Sequence, residues 1–352
     1  MRLATAVFCA ASLLATAAAG SAWATPLLVT PLATPPGASA GVASAPAFVA
    51  VAAAASADPF AQAPRDAIVE QALEHVVARG EGLGTLAARH AVSVSLIAER
   101  NGIDARKGLA IGQRIAIVSR HVVPAPIDDG IVVNIPQRML FRFAAGRVVA
   151  AYPVTVGKRG WVTPTGDFTV VDRQTDKTWI VPPSIQAEML REGKPVLTAV
   201  PPGPENPLGR HWIGTSLPGI GLHGTNAPAS IYGFRSHGCV RLHPDDVAAL
   251  FAGTRVGDRG RIVYRPLLLA VAADGRIWFE ANPDVDRREP GSIDVVREMA
   301  RLQGIDEAAI DWALVQAALM RRAGNAIDVG VVEPALAARN ETGAQAQEVS
   351  AR

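Results

Sequence analysis

Cysteine is nearly missing from this chain, whose 352 residues hold only Cys9 and Cys239. Charge is sparse as well, at 19% Asp, Glu, Lys and Arg with a net charge of +2. That balance leaves no basic face, so no nucleic acid is expected among the partners. Beyond the N-terminus no apolar run approaches the ~20 residues that a bilayer span takes. From residue 25 to about 65 there is hardly a charge and neither a helical nor a strand period. Pro26, Pro31, Pro35, Pro36, Pro46, Pro59 and Pro64 would keep that stretch extended. Residues 25–70 therefore read as an Ala/Pro-rich linker.

Ahead of it, Met1-Arg2 leads into an apolar run over 3–19, and Ala22-Trp23-Ala24 has the small-x-small pattern of a cleavage site. Residues 1–24 are expected to be a signal peptide. A retained membrane anchor is the rival reading, for which the run is short and rich in alanine. Cleavage would remove Cys9 and leave Cys239 alone, so no intramolecular disulfide is expected. An unpaired thiol in an oxidising compartment points to reactivity. The alternative is a small buried hydrophobe.

The neighbours of Cys239 favour reactivity. Ser236-His237-Gly238-Cys239-Val240-Arg241 brings a thiol, an imidazole, a glycine and a guanidinium into six positions. Gly221-Leu222-His223-Gly224-Thr225-Asn226 adds a second imidazole, 16 residues before Cys239. Sulfur attacks as the thiolate, a minor form at an ordinary pKa of ~8.5, so an imidazole must take the proton. Both His223 and His237 are available. Backbone N–H groups around Gly238 and Cys239 can meet a developing oxyanion only if the chain turns sharply, which glycine permits. Arg241 could fork onto a substrate carboxylate. His211 and His243 raise the question of zinc, but no paired Cys-x-x-Cys or His-x-x-x-His accompanies them, and no metal is expected.

Residues 71–119 read as a βααβ unit, with strands at 74–77 and 114–118 and helices at 83–90 and 94–101. Leu86, Ala87, Leu96, Ile97, Ile111, Ile115 and Ile117 are its expected core. This stretch resembles the LysM family through Val77-Ala78-Arg79-Gly80-Glu81-Gly82-Leu83, Leu96-Ile97-Ala98, Asn101-Gly102 and Leu109-Ala110-Ile111-Gly112-Gln113-Arg114-Ile115. The resemblance implies binding to N-acetylglucosamine-containing glycan strands. Glu81-Gly82 stands where the family has Asp followed by Thr or Ser, so the first helix's side-chain cap is lost or replaced.

After a linker at 123–126, strands dominate from 130 to 264, with helices at 184–191 and 244–251. The Pro-rich stretch 201–209 cannot be regular and suggests a wall or lid of a cleft. A strand pair over 267–272 and 276–281 and helices over 293–303 and 307–322 follow, making 267–331 a C-terminal subdomain with a helical extension. Residues 332–352 read as a disordered tail.

From 128 to 266 the chain resembles the L,D-transpeptidase family with the YkuD-like catalytic domain. The carriers are Gly157, Thr163-Pro164-Thr165-Gly166, His223-Gly224-Thr225-Asn226 and Ser236-His237-Gly238-Cys239-Val240-Arg241-Leu242. Lys177-Thr178-Trp179, the stretch 202–210 and Pro228-Ala229-Ser230 resemble the Gram-negative branch that includes lipoprotein-attaching enzymes. The resemblance implies a mainly β catalytic domain, a YkuD-like β-sandwich with short helices, working without metal or organic cofactor. It implies Cys239 as nucleophile, His223 as general base oriented by the Gly224 carbonyl, and His237 with Gly238 on the oxyanion side. Arg241, Ser236, Asn226 and Trp179 fall at the substrate. The implied donor is a peptidoglycan tetrapeptide stem cleaved between meso-diaminopimelate and D-Ala, and an amine resolves the thioester. Implied partners are peptide stems, glycan strands and an outer-membrane lipoprotein or other protein amine, at a periplasmic, cell-wall-associated location. Carbapenems would acylate the same thiol. Hydrolysis of the thioester, as an L,D-carboxypeptidase or amidase, is the alternative enzyme reading; a non-catalytic peptidoglycan-binding protein is the alternative of another class.

Overall fold

The structure is a computed structural model that describes residues 67–124, 126–289 and 291–331. The expected signal peptide, the linker as far as residue 66 and the tail from 332 lie outside the described residues.

The first unit is the expected βααβ arrangement. β1 (Ile68–Val76) runs antiparallel to β2 (Arg114–Val122), and α1 (Leu83–His90) and α2 (Val94–Arg100) lie between them in sequence. Leu86, Ile97, Ile115 and Ile117 are at most 1% exposed and form its core. Ile111, expected there, is 71% exposed instead. It sits on the turn before Gly112, whose φ of +83° bends the chain away from the core. The helix cap is replaced rather than lost: the Thr85 hydroxyl accepts the Gly82 N–H at 2.9 Å and donates to the Gly82 carbonyl at 2.8 Å.

Strand β1 starts inside the expected linker because Ala67 and Ile68 pack with Leu268, Ala270 and Trp278, far along the chain. The expected linker at 123–126 is likewise not a free one. Val123 is buried, and its N–H donates to the Ala67 carbonyl.

The central unit comprises β3 (Gly130–Asn134), β4 (Met139–Ala144), β5 (Arg147–Gly157), β6 (Gly166–Thr175), β7 (Trp179–Ile180), α3 (Pro183–Arg191), β8 (Ala199–Val200), β9 (His211–Thr215), β10 (Gly221–His223), β11 (Phe234–Ser236), β12 (Val240–Leu242), α4 (Pro244–Gly253) and β13 (Arg259–Val263). Nine strands follow the order β11-β5-β12-β10-β9-β6-β13-β3-β4, and β4 also pairs with β5. The sheet thereby closes on itself. The length of β5 allows this: Arg147 to Pro153 pair with β4, while Val154 and Thr155 pair with β12. Alternation sorts the faces. Ile213, Leu222, Val240 and Leu242 are fully buried in the core, so Trp212, His223 and Arg241 face away from it. β7, α3 and β8 form a flap in which Trp179 pairs with Val200.

The C-terminal unit holds β14 (Leu267–Val271), β15 (Ile277–Ala281), α5 (Ile293–Leu302), α6 (Trp312–Arg321) and β16 (Ile327–Asp328). A third strand thus joins the expected pair. The helix expected over 307–322 is split, because Asp311 Oδ1 accepts the N–H groups of Ala313 and Leu314 and starts a new helix there.

One carboxylate joins all three units. Glu280 on β15 is fully buried; its Oε2 accepts the Val122 N–H at 2.7 Å and Gln137 Nε2 at 2.8 Å, and its Oε1 lies 3.1 Å from His121 Nδ1. Each interaction satisfies a group that burial would otherwise leave costly.

Candidate active site

A cleft of about 690 Å3 opens between the sheet and the flap. Cys239, His223, His237 and Arg241 line it from the sheet side, and Trp179, Ile180, Met189 and Leu208 from the flap side. The stretch 201–209 contributes to the wall as expected, through Pro207 and Leu208.

Strand register builds the floor. Across β6, β9, β10, β12 and β5 run Gln174, Trp212, His223, Arg241 and Thr155, each paired with the next. His223 is therefore flanked by an indole and a guanidinium. Its Nδ1–H donates to the Gly224 carbonyl at 2.7 Å, which fixes the tautomer. The ring is 3% exposed, and burial, followed by the charge of Arg241, holds its pKa down at about 4 against the pull of the Gly224 and Leu208 backbone. The imidazole is neutral at pH 7 and able to accept a proton.

The thiol rests protonated. Burial pushes Cys239 up from its ordinary value, opposed by a hydrogen bond with the Gly221 backbone and by Arg241. Its S–H donates to the Gly219 carbonyl at 3.4 Å. The turn that presents it is clamped from two sides. Ser236 Oγ donates to the Cys239 carbonyl at 2.5 Å and accepts the Gly238 N–H at 3.2 Å. Thr163 Oγ1 donates to the Gly238 carbonyl at 2.7 Å and accepts the Gly157 N–H at 2.9 Å. Gly238 has a φ of +110°, a backbone state that side chains resist. Gly157 is confined differently, since a Cβ there would lie 2.0 Å from the Trp161 carbonyl oxygen.

Of two further expected substrate contacts, Ser236 lines the cleft and Asn226 does not. Ser236 is buried at the cleft, and its hydroxyl, engaged on both sides, holds the turn. Asn226 is exposed outside the cleft lining and donates from Nδ2 to the Glu205 carbonyl, tying two loops. His237 lines the cleft, yet its Nε2 meets Glu188 Oε2 at 2.5 Å and its ring lies edge-on to Trp161. Glu188 also accepts from Lys158 Nζ at 2.7 Å, and this contact leads those that hold its carboxyl below the usual range. His211 packs on Phe251, and His243 Nδ1 accepts the Asp245 N–H at the start of α4; neither lines the cleft. Sequence reading did not single out Trp212, Asp172, Glu188 or Lys158. The alternation that turns His223 out of the core also selects Trp212, and that was the available signal.

A closed β-sheet that offers a thiol and a neutral imidazole to a flap-covered cleft defines a cysteine acyltransferase. Residues 128–263 match the YkuD L,D-transpeptidase catalytic domain, and residues 75–118 match the LysM domain. The chain is 31% identical over 269 residues to the probable L,D-transpeptidase ErfK/SrfK of Salmonella typhimurium (strain LT2), covering 72% of this chain and 84% of that protein. It is 30% identical over 262 residues to the Escherichia coli (strain K12) ErfK/SrfK, covering 70% and 82%, and 29% identical over 265 residues to YcfS of the same organism, covering 72% and 82%. The chain belongs to the L,D-transpeptidase family. It is a cysteine-dependent acyltransferase of peptidoglycan and a cell-wall-associated protein. Among the described residues no helix is long and apolar enough to cross a membrane.

Proposed function

We propose that Cys239 is the nucleophile and His223 the general base in transfer from a tetrapeptide stem to an amine. Sulfur attacks the acyl carbon of meso-diaminopimelate, and the thiol proton passes to His223 Nε2, the nitrogen left available by the Gly224 hydrogen bond. The C–N bond to D-Ala then breaks, and the departing amine takes that proton. An acceptor amine attacks the thioester, its C–S bond breaks, and sulfur regains a proton through the same imidazole. Arg241 is suited to the donor's carboxylate: its Nε makes no hydrogen bond among the described residues.

The observation that carries this reading is a neutral, buried imidazole lining the same cleft as a protonated thiol. Trp179, Ile185, Met189 and Leu208 give the cleft apolar wall against which an acceptor's stem can pack, which supports transfer. The acceptor we propose is a protein amine, such as a lipoprotein lysine, because the stretches at 177–179, 202–210 and 228–230 resemble the lipoprotein-attaching branch. Export by residues 1–24 would bring the enzyme to this substrate in the periplasm.

Incubating the purified protein with tetrapeptide muropeptides and competing amines, with products resolved by mass spectrometry, tests the reading. Amine adducts with loss of D-Ala are expected. Tripeptide product alone would replace transfer by hydrolysis.

A further inference from the structure

The row that carries His223 contains a residue that the chemistry above does not use. Trp212 is its cross-strand partner on β9, and the two rings stack with centroids 5.8 Å apart and planes inclined by 23°. The indole is itself tethered. Its Nε1 donates to Asp172 Oδ1 at 3.1 Å, and Lys177 Nζ lies over the ring, 5.5 Å from its centroid. Two glycines give it room: a Cβ on Gly221 would lie 2.3 Å from the indole, and one on Gly214 would lie 1.7 Å from Asp172 Oδ1. Gly214 and Gly221 are register partners, so the sheet has a side-chain-free strip where the indole lies.

From this arrangement we propose that Trp212, held by Asp172, is a positioning residue that fixes the plane of the His223 ring and shields it from water. The Gly224 hydrogen bond constrains Nδ1 alone. The Leu208 backbone also reaches the ring, and a stacked aromatic plane adds a restraint on its tilt. The cross-strand neighbour on the opposite side, Arg241, offers charge in place of a ring. The inference rests on His223 being the base.

The groups facing the ring set the sign of the expected pH effect. Arg241 comes from β12, the 201–209 stretch supplies the uncharged Leu208 backbone, Cys239 lines the same cleft, and Asp172 and Lys177 reach the indole from beyond. Burial is the largest influence holding His223 down, so losing the indole moves the ring back toward its ordinary value.

The test is the rate of acylation by a carbapenem such as imipenem, followed by intact mass from about pH 4 to pH 8, in the full chain and its variants. Trp212→Leu should slow acylation by on the order of 10²-fold and move the acid limb of the profile to higher pH. Trp212→Phe keeps a ring and should restore most of the rate with the limb near its original place. A purely structural role would lower the amount of folded protein without moving the limb. Asp172→Ala keeps the indole but removes the acceptor of its N–H and should slow acylation several-fold, which decides the matter if Trp212→Leu does not fold. The proposal is overturned if the limb of folded Trp212→Leu coincides with wild type, or if Asp172→Ala acylates at the wild-type rate. His223→Gln run in parallel separates the two readings: a wild-type rate there removes His223 as base, whereas loss of activity there with unaffected Trp212 variants removes only the positioning role.

Discussion

Arg241 lies directly beside His223 on the parallel strand pair β12 and β10, with the two Cα positions in register. A permanent cation is thus one strand away from the imidazole. It opposes protonation of the ring and lowers the pKa of the thiol two residues before it. On the reading proposed above, the guanidinium that would attract a substrate carboxylate also adds to the burial that keeps the base neutral.

Replacing Arg241 by Leu should therefore do two things at once. KM for the tetrapeptide donor should rise, because the carboxylate loses its fork, and the acid limb of kcat/KM should shift to higher pH as His223 gains a proton more readily. Steady-state kinetics across pH would show both; a higher KM with an unmoved limb would assign Arg241 to binding alone.

Cys239→Ala is expected to give no covalent adduct with either donor or carbapenem in intact mass spectra. His223→Ala should leave circular dichroism unchanged and slow adduct formation by about 10²- to 10⁴-fold, the usual range for a general base. Unchanged turnover in the second variant would transfer that role to another group.

Acidification should destabilise the protein partly through His223. Its folded pKa of about 4 lies below the 6.5 of a free imidazole, so between these values the unfolded chain binds more protons and stability rises with pH. The loss on going from pH 6.5 to pH 4 is on the order of 3 kcal/mol for this fully buried ring. Urea denaturation at both pH values should show a smaller acid loss in His223→Gln than in wild type.

Gly238→Ala should acylate much more slowly than wild type while remaining folded. Its φ of +110° imposes a strain of about 1–3 kcal/mol on any side chain. Relief of that strain would disturb the turn that Ser236 and Thr163 clamp. Wild-type acylation by this variant would show that the turn tolerates ordinary backbone geometry.

Glu280→Ala should cost about 2–5 kcal/mol in chemical denaturation, since each buried donor left unsatisfied costs about 1–3 kcal/mol. It strands the Val122 N–H, Gln137 Nε2 and His121 Nδ1 together. Limited proteolysis should then cut between residues 123 and 129 faster than in wild type.

Much of this protein is written locally. Gly238 beside Cys239 announces a sharp turn with a thiol at its end, and the alternation of Leu222 with His223 and of Val240 with Arg241 announces which side chains leave the core. The glycines and polar residues around Ser236 and Thr163 mark the motif, though not their use as clamps, since a hydroxyl's partner depends on a strand distant in sequence. Asn226 looks like a substrate contact in one dimension and ties two loops in three, and Ser236 at the cleft spends its hydroxyl on the turn. The same reason hides the packing at the unit's ends: Ala67 and Ile68 read as linker until the C-terminal strands cover them, and Val123 until it packs with Met139 and Phe141.

What the residues determined unaided was the chemistry, because nucleophile, imidazoles and turn glycine sit within a few positions whose spacing the backbone itself constrains. What only the tertiary structure decided was which imidazole is buried and neutral, which is tied to Glu188, and that Trp212 stacks on the former. Burial, register and cross-strand contact arise between segments far apart in sequence, and the pKa of a ring follows from those surroundings.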